Sequence, residues 1–377
     1  MQALDIEIIN QLVLILLGSS TLVQVYYILS GMSGPSFFKK KNTTTPSFSS
    51  PVSIVICARN ELKNLRIFLP SILDQNYPEY QVVVVNDCSW DESSKYLEEM
   101  EDAYPQLKVV TLKEQEKYQH GKKFALTLGI KAATHEHLLL TDADCKPGSK
   151  NWIKSMVEGF SGGKEMVISY GAYTNEPGLL SKWIRFDTAM NAMLYLSRAL
   201  KGKAYMGVGR NLAYTKSLFF KNKGFAKHYH IMSGDDDLFV NETSNKNNTS
   251  VVLNQEAFTY SKPKTSFYTW FWQKKRHMST GKHYKGSDRT FIGAYFFSLF
   301  MFWMMVILAI VLKLNWQLIV GMIVIRLMTQ MIICWKGFKA LGEKDLVFLI
   351  PLFDIITAFL YPILAVSNIF IKTKSWK

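Results

Sequence analysis

The chain has 377 residues, with 44 lysines and arginines against 30 aspartates and glutamates, giving a net charge of +14. This length suffices for one large domain with additions. Apolar residues crowd the first thirty and last ninety positions, whereas the middle has a balanced globular composition. Four cysteines without CxxC or metal-ligand spacing argue against a thiolate metal centre and predict reduced thiols.

The first apolar segment, residues 8–30, is long enough to cross a membrane, which takes about 20 residues. Acidic residues precede it and FFKKK follows it, the reverse of the charge order in a cleaved signal peptide. We therefore predict a retained anchor over residues 1–35. The cluster Lys39 to Lys41 predicts that the following domain is cytoplasmic, joined by a Ser/Thr/Pro-rich linker over residues 36–50.

From residue 51 the pattern alternates between short apolar runs and helical segments. We predict strands at 52–58, 81–89, 107–112 and 136–145, separated by helices at 61–75, 91–104 and 121–133. Asn60 is the predicted cap of the first helix, and Asp91 is a cap candidate for the second. Strands spaced by helices indicate βαβ units, and so an α/β fold with a parallel sheet over residues 51–262.

The last part of the chain is again apolar. Residues 291–312 predict a strong span, and residues 316–334 predict a second one despite Arg326. A weaker candidate, residues 346–370, contains two prolines and Asp354. Three spans after a cytoplasmic domain would leave the basic end of the chain on the opposite side, against the positive-inside rule. We therefore predict two to three spans within residues 291–377 and leave the topology of 346–370 open.

Carboxylates follow two of the predicted strands. In extended backbone Asp142 and Asp144 point to the same side, where they would offer hard oxygen ligands to Mg²⁺ or Mn²⁺ and so bind a diphosphate. Asp87 ends another strand, where it would accept hydrogen bonds from a base or ribose. In parallel sheets ligands bind beyond these strand ends. The structural alternative for each is a polar turn or a helix cap.

Two further segments are candidates for the same site. Lys122 follows a glycine, which suits a phosphate contact, although the P-loop pattern is absent. Asp235, Asp236 and Asp237 precede an apolar helix start, where the helix dipole favours acidic residues. Three together exceed what a cap needs, and their repulsion raises the pKa of at least one, as a general base requires.

Residues 263–290 have the composition of a segment at a membrane surface. Eight lysines and arginines and one acid, Asp288, lie between Lys262 and Arg289, interleaved with aromatic residues. In a helix Gln273 and Arg276 share a face, where they would bind a phosphate or an acceptor. The alternative is an amphipathic interfacial helix without a catalytic part.

Six motifs occur in an order that resembles the inverting family 2 glycosyltransferases of the cellulose synthase, hyaluronan synthase and ceramide glucosyltransferase type. They are NDCSWDES, GKKFAL, TDADC, GVGRNLAY, SGDDDL and QKKRH. The resemblance covers residues 51 to about 280 and the flanking membrane segments. It implies a GT-A fold, that is, a Rossmann-like nucleotide-sugar domain, here flanked by transmembrane helices.

The resemblance also implies roles for individual residues. Asp87 and Asp142 would contact the nucleotide sugar, Asp144 with Asp142 would bind the divalent metal, and Lys122 would assist the diphosphate. One of Asp235 and Asp236 would be the base that deprotonates the acceptor. The residues that match the QxxRW motif, and would contact acceptor or diphosphate, are Gln273, Arg276 and His277.

Two positions depart from the family pattern. His277 stands where the family has tryptophan, and three aspartates replace the usual Glu-Asp pair. The second departure leaves the base open between Asp235 and Asp236, with Asp235 favoured because GDDDL aligns best with E-D-x-D-L that way.

The predicted function is that of a membrane-bound inverting glycosyltransferase with Mg²⁺ or Mn²⁺ as cofactor. It would move a sugar from a nucleotide-diphosphate sugar to a lipid-linked or glycan acceptor at the cytoplasmic face of the cell membrane. Its partners would be the donor, the acceptor and the lipid bilayer, without nucleic acid. The alternatives are a processive polysaccharide synthase, a nucleotidyl- or phosphotransferase acting on a lipid phosphate, and an inactive membrane scaffold.

Overall fold

The computed structural model describes residues 2–39, 49–113 and 121–370. Its helices are α1 (Gln2–Tyr26), α2 (Leu62–Leu73), α3 (Ser93–Ala103), α4 (Lys122–Ala132), α5 (Trp152–Val157), α6 (Leu179–Leu200), α7 (Lys216–Lys221), α8 (Asp237–Thr243), α9 (Phe267–Met278), α10 (Gly286–Val311), α11 (Trp316–Leu341) and α12 (Ile350–Phe370). Its strands are β1 (Val52–Ala58), β2 (Tyr80–Asp87), β3 (Leu107–Leu112), β4 (His137–Asp142), β5 (Cys145–Pro147), β6 (Met166–Ile168), β7 (Gly171–Tyr173), β8 (Leu212–Thr215), β9 (Thr249–Val251) and β10 (Thr259–Ser261).

The main sheet has seven strands in the order β3-β2-β1-β4-β8-β6-β9, and a second sheet has the order β5-β10-β7. The four strands predicted from the sequence are parallel neighbours, as expected. The sheet as a whole is mixed, because β8 pairs antiparallel with both β4 and β6. The α/β class and the parallel arrangement of the four predicted strands are confirmed, and the antiparallel pairs of this sheet all involve β8, a strand that was not predicted.

Strands β1 and β2 are buried on both faces, which explains their uninterrupted apolar sequence. Val55, Val83 and Val85 pack into one hydrophobic core, and Ile54 and Val84 pack into the other. Helix α4 lies so close to the first face that a Cβ on Gly129 would come within 2.6 Å of the Val55 side chain. This packing fixes the start of α4, and with it Lys122, beside the carboxyl ends of the strands.

The helix starts differ from the prediction at one cap. Asn60 does not cap α2; it adopts a left-handed φ of 54°, and Leu62 N donates instead to Asp91 Oδ2 at 3.1 Å. The other oxygen of Asp91 accepts from Ser93 N at 3.1 Å. Asp91 therefore holds the beginnings of α2 and α3 together, a role that includes the cap predicted for it.

Among the described residues, four helical segments are long and apolar enough to cross a membrane: Ile6–Gly31, Gly286–Val311, Trp316–Leu341 and Lys344–Phe370. The first three agree with the predicted spans. The fourth contains two prolines. Pro351 lies in the first turn of α12, where proline is tolerated, and α12 continues past Pro362 to Phe370. Of the predicted linker, residues 40–48 lie outside the described residues, including two of the three lysines on which the orientation was based.

Helix α6 lies between the sheets and these apolar segments. Gly34 N, just after the first segment, donates to Ser197 Oγ at 2.8 Å. A Cβ on Gly337 of α11 would meet the Met193 side chain at 2.2 Å. Arg198 contacts Asp288, at the start of α10, at 2.5 Å. The end of the first apolar segment, the start of α10 and the end of α11 therefore all lie next to α6. We call this side of the helix bundle the domain side.

A buried ion pair lies among the apolar helices. Arg326 of α11 and Asp354 of α12 form two hydrogen bonds, of 2.8 and 3.0 Å. Gln24 of α1 accepts from Arg326 at 2.8 Å, and Trp303 Nε1 of α10 donates to Asp354 at 2.7 Å. Both charges are almost fully excluded from solvent. Mutual neutralisation explains how two residues that interrupt the apolar pattern are accommodated in the bundle.

Replacing Arg326 by methionine should destabilise the bundle by about 3–5 kcal/mol, because the Asp354 carboxylate would stay buried without its counter-ion. The double variant Arg326→Met/Asp354→Leu should recover most of this loss. Thermal unfolding of the detergent-solubilised protein measures both. A double variant as unstable as the single one would contradict the proposed balance of charges.

Candidate active site

The candidate active site lies at the carboxyl edge of the main sheet. Asp87 is the last residue of β2 and Asp142 the last of β4, on either side of β1. Between them Cys57 of β1 is paired in register with Asp142. Because parallel strands end at the same edge, residues far apart in sequence meet here, as predicted from the strand order.

Lys122 connects two of the predicted carboxylates. Its Nζ lies 2.9 Å from Asp142 Oδ1 and 2.9 Å from Asp235 Oδ2. Burial alone would lower the pKa of Lys122, but the two carboxylates raise it well above the usual value, so the ammonium group stays charged. Lys122, Asp142, Asp235 and Asp236 all line one cavity. The structure therefore brings these four predicted site residues together.

Asp142 and Asp144 also converge, although not in the predicted way. The strand ends at Asp142, and a turn at residues 143–144 leads into β5, so the predicted extended backbone is wrong at this point. The turn still brings ligand atoms of Asp142, Asp144 and Cys145 within 4.8 Å of one another. The side chains thus converge through a turn instead of through strand alternation.

The donor set suits a hard divalent cation. Burial, and then the charge of Asp142, raise the pKa of Asp144, a cost that a bound cation would remove. Burial raises the pKa of the Cys145 thiol well above its usual value, so this group is a poor ligand. Two carboxylates that converge in this way fit Mg²⁺ or Mn²⁺.

Asp87 is fully buried. Within the described part of the chain, neither of its carboxylate oxygens has a hydrogen-bond partner. Buried polar atoms in proteins are nearly always paired, so such a carboxylate at the edge of the sheet is suited to accept hydrogen bonds from a polar ligand. The structure thus places Asp87, buried, at the carboxyl edge of the main sheet beside β1.

The three consecutive aspartates have different environments. Asp237 accepts hydrogen bonds from Thr280 Oγ1 and from Tyr284 Oη, the latter at 2.6 Å. It is therefore a structural residue that ties α8 to the segment after α9. Asp235 pairs with Lys122, and Asp236 accepts from Gly209 N at 2.7 Å and Asp237 N at 2.8 Å.

Their protonation differs as well. Burial would raise the pKa of Asp235, but the neighbouring Lys122 ammonium lowers it, so this carboxylate is ionised. Burial, followed by repulsion from Asp235 and Asp237, raises the pKa of Asp236 to about 7. The predicted raised pKa is thus found at Asp236 and, because of burial, also at Asp237. The favoured base, Asp235, is the one that remains charged and contacts Lys122.

Gln273, Arg276 and His277 lie on α9. Ser266 caps the beginning of this helix, because its side chain accepts a hydrogen bond from Thr269 N. Gln273 and Arg276 are half-buried and one turn apart. In the part of the chain that the structure describes, no hydrogen bond joins Gln273 to the carboxylate cluster. The His277 side chain is exposed at the surface. Partial desolvation by the protein around its ring, followed by nearby cations including Arg276, lowers its pKa to about 3.

Sequence reasoning missed several residues that build the site. Cys57 lines the cavity with Gly209, whose Cβ, if present, would lie 3.3 Å from Asp236 Oδ2. Arg210 stacks on the Tyr173 ring at 4.2 Å and donates to Gly171 O at 2.9 Å. Its charge counts among the influences that lower the pKa of Asp144. The motif GVGRNLAY contains both residues, but its pattern alone gives no chemical role to either.

Comparisons with known proteins agree with the fold and the motifs. The family model described as Glycosyl transferase family 2 matches residues 53–221. Glycosyltransferase AglE of Haloferax volcanii is 28% identical over 173 residues, 45% of this chain and 52% of that protein. A poly-beta-1,6-N-acetyl-D-glucosamine synthase of Staphylococcus epidermidis is 31% identical over 93 residues, 25% of this chain and 21% of its own. The chain thus spans about half the length of the first of these relatives, and less of the second.

One solved structure resembles almost the whole chain. The mannosyltransferase PcManGT from Pyrobaculum calidifontis, in complex with GDP-Man and Mn²⁺, matches 97% of this chain and 100% of its own with a TM-score of 0.60 at 15% identity. At that identity the likeness concerns the fold. It confirms the predicted GT-A architecture.

Proposed function

We propose, on the premise that residues 53–221 are a glycosyltransferase family 2 domain, that this chain is a membrane-bound inverting glycosyltransferase. It transfers a sugar from a nucleotide-diphosphate sugar to an acceptor hydroxyl at the cytoplasmic membrane face. The observation that most supports this is the Lys122 bridge, 2.9 Å from both Asp142 and Asp235. It joins a candidate donor site to a candidate base within one cavity.

We assign the divalent cation to Asp144 and Asp142, whose carboxylates fit Mg²⁺ or Mn²⁺ as described above. When bound, the cation neutralises charge on the departing diphosphate. The buried Asp87, whose two carboxylate oxygens have no hydrogen-bond partner among the described residues, accepts hydrogen bonds from the base or ribose of the nucleotide. The carboxylates of this chain thereby orient the donor from both sides of β1.

Two charged side chains of the protein, Lys122 and Asp235, act during the transfer. Lys122, on donor binding, leaves Asp142 and Asp235 and contacts the diphosphate, where its charge stabilises the leaving group. This change also frees Asp235, which is ionised in its present environment, to take the proton from the acceptor hydroxyl. The hydroxyl oxygen then forms a bond to the anomeric carbon as the bond to the diphosphate oxygen breaks.

The acceptor side of the site is assigned to α9. Gln273, Arg276 and His277 lie on this helix, which contacts α6 through Lys274 Nζ and Asp187 at 2.7 Å. Because α6 in turn rests on the apolar helices, the acceptor approaches close to the bilayer. This favours a lipid-linked acceptor over a growing polymer. A glycan acceptor and a processive synthase remain the alternatives.

We retain the predicted division of the chain, with the anchor at 1–35, the linker at 36–50, the transferase domain at 51–262, the interfacial segment at 263–290 and the membrane region at 291–377. The boundary between the third and fourth parts is supported by the gap between β10, which ends at Ser261, and α9, which begins at Phe267.

A donor screen tests the function. The purified protein, in detergent with lipid extract and Mn²⁺ or Mg²⁺, is incubated with a panel of nucleotide sugars, and released nucleoside diphosphate is measured. We expect release from one donor class that requires metal and lipid. Nucleoside monophosphate or a phospholipid product would instead favour the nucleotidyl- or phosphotransferase. The absence of both release and nucleotide binding would favour the scaffold.

A further inference from the structure

The contacts of the last apolar segment, residues 344–370, determine its path relative to the other apolar helices. It consists of a short 3₁₀ helix (Lys344–Leu349) and α12. Length and composition alone would allow it to cross. Its contacts show where it begins, which way it runs and where it ends.

The segment begins on the domain side. Arg185 of α6 contacts Glu343 at 2.6 Å and Asp345 at 2.7 Å. Tyr170, in the sheet domain, donates to Glu343 at 3.0 Å. These charged contacts hold the turn between α11 and α12 against the catalytic domain.

The direction of α12 follows from its contacts with α10, which leaves the domain side at Gly286 and runs away from it. Asp354 contacts Trp303 of α10 through a 2.7 Å hydrogen bond. Seven residues later along α12, the Tyr361 ring stacks on Phe296 of α10 at 4.2 Å. Later residues of α12 therefore contact earlier residues of α10. A helix leaving the domain beside α10 would show the opposite order.

The segment also ends on the domain side. Tyr361 donates to Asp187 of α6 at 2.5 Å, and Lys274 of α9 lies 5.0 Å over the Tyr361 ring. Asn368 donates to the carbonyl oxygen of Lys275, also of α9, at 3.3 Å. Ile350 and Asn368 are 18 residues apart, about 27 Å along a helix. A crossing helix that began at Ile350 would therefore carry Asn368 to the far side of hydrocarbon about 30 Å thick.

The outward face of α12 indicates what surrounds it. The exposed side chains on this helix include Leu352, Ile355, Ile356, Ile363, Val366, Ile369 and Phe370. Asp354, the one charged residue of α12, is turned inward to Arg326. An apolar helix face with no charge, like the exposed apolar side chains of α10 and α11, suits acyl chains rather than water or a polar partner.

We propose that residues 344–370 form a re-entrant segment that binds the leaflet next to the catalytic domain and returns without crossing. The described chain then crosses the membrane three times, through α1, α10 and α11. In the sequence, Lys372, Lys374 and Lys377 come after α12. An α12 that ends on the domain side therefore removes the conflict with the positive-inside rule. This inference is independent of the catalytic assignment.

Three matched lysine-to-cysteine variants test it. Lys377→Cys reports the end of the chain, Lys313→Cys the turn between α10 and α11, and Lys154→Cys the catalytic domain; Lys154 and Lys313 are exposed. Sealed vesicles of each orientation are treated with a membrane-impermeant maleimide, and labelled peptides are identified by mass spectrometry, which separates them from the native cysteines.

We expect Lys377→Cys and Lys154→Cys to be labelled in the same vesicle orientation and Lys313→Cys in the other. Labelling of Lys377→Cys together with Lys313→Cys would overturn the proposal, because α12 would then cross. An epitope tag after Lys377, probed by antibody in the same vesicles, gives the same comparison without a cysteine. Nucleotide-sugar turnover is not needed for either readout, so the result stands apart from the proposed function.

Discussion

Asp144→Asn should lower sugar transfer by at least about a thousandfold, the largest effect that we expect from a single substitution. Replacing one carboxylate oxygen by an amide removes the charge that offsets a divalent cation, and loss of several kcal/mol of leaving-group stabilisation corresponds to this factor. The fold should survive, because the pKa of Asp144 is already raised by burial and by Asp142. A neutral side chain at this position relieves that repulsion.

The measurement is donor turnover as a function of Mn²⁺ or Mg²⁺ concentration, with thermal unfolding of the same preparations. Asp74→Asn is the matched control, since Asp74 is an exposed aspartate paired with Lys150 at the surface. It should leave turnover and metal dependence unchanged. Turnover retained by Asp144→Asn at the same metal concentration would refute the metal assignment.

Asp235→Asn should lower turnover by about 10²–10⁴-fold while the donor still binds. The amide cannot take a proton from the acceptor, but Lys122 keeps its second partner, Asp142, at 2.9 Å. The donor-binding side of the cavity should therefore keep its charge arrangement. Calorimetric titration with the donor separates binding from chemistry.

Asp236→Asn is the informative comparison, because this neighbouring carboxyl group lines the same cavity and has a pKa of about 7. If Asp235 is the base, Asp236→Asn should retain substantially more turnover than Asp235→Asn. The reverse order would identify Asp236 as the base. Equal turnover in both variants and in the unmodified protein would remove this cluster from the mechanism.

Much of the fold could be predicted because its signals are local. The ranges of β1 and β3 agree with the structure, since an apolar run bounded by polar residues suffices to mark a buried strand. Asp87 and Asp142 were placed at one edge for the same reason, as parallel strands end together. Prediction failed where a residue distant in sequence took over a local role. Asn60 was the predicted cap of α2, but Leu62 N donates to Asp91, which lies thirty-one residues after Asn60.

The sequence by itself determined the class of the fold, the apolar segments and the set of carboxylates, because residue type and spacing express burial directly. Only the tertiary structure decided which aspartate is structural, which one pairs with Lys122, and that Arg326 is neutralised by Asp354. It also supplied the order of contacts that indicates the direction of α12. Each of these depends on groups that are distant in sequence, and the energy of a buried charge is set by the partner that folding brings to it.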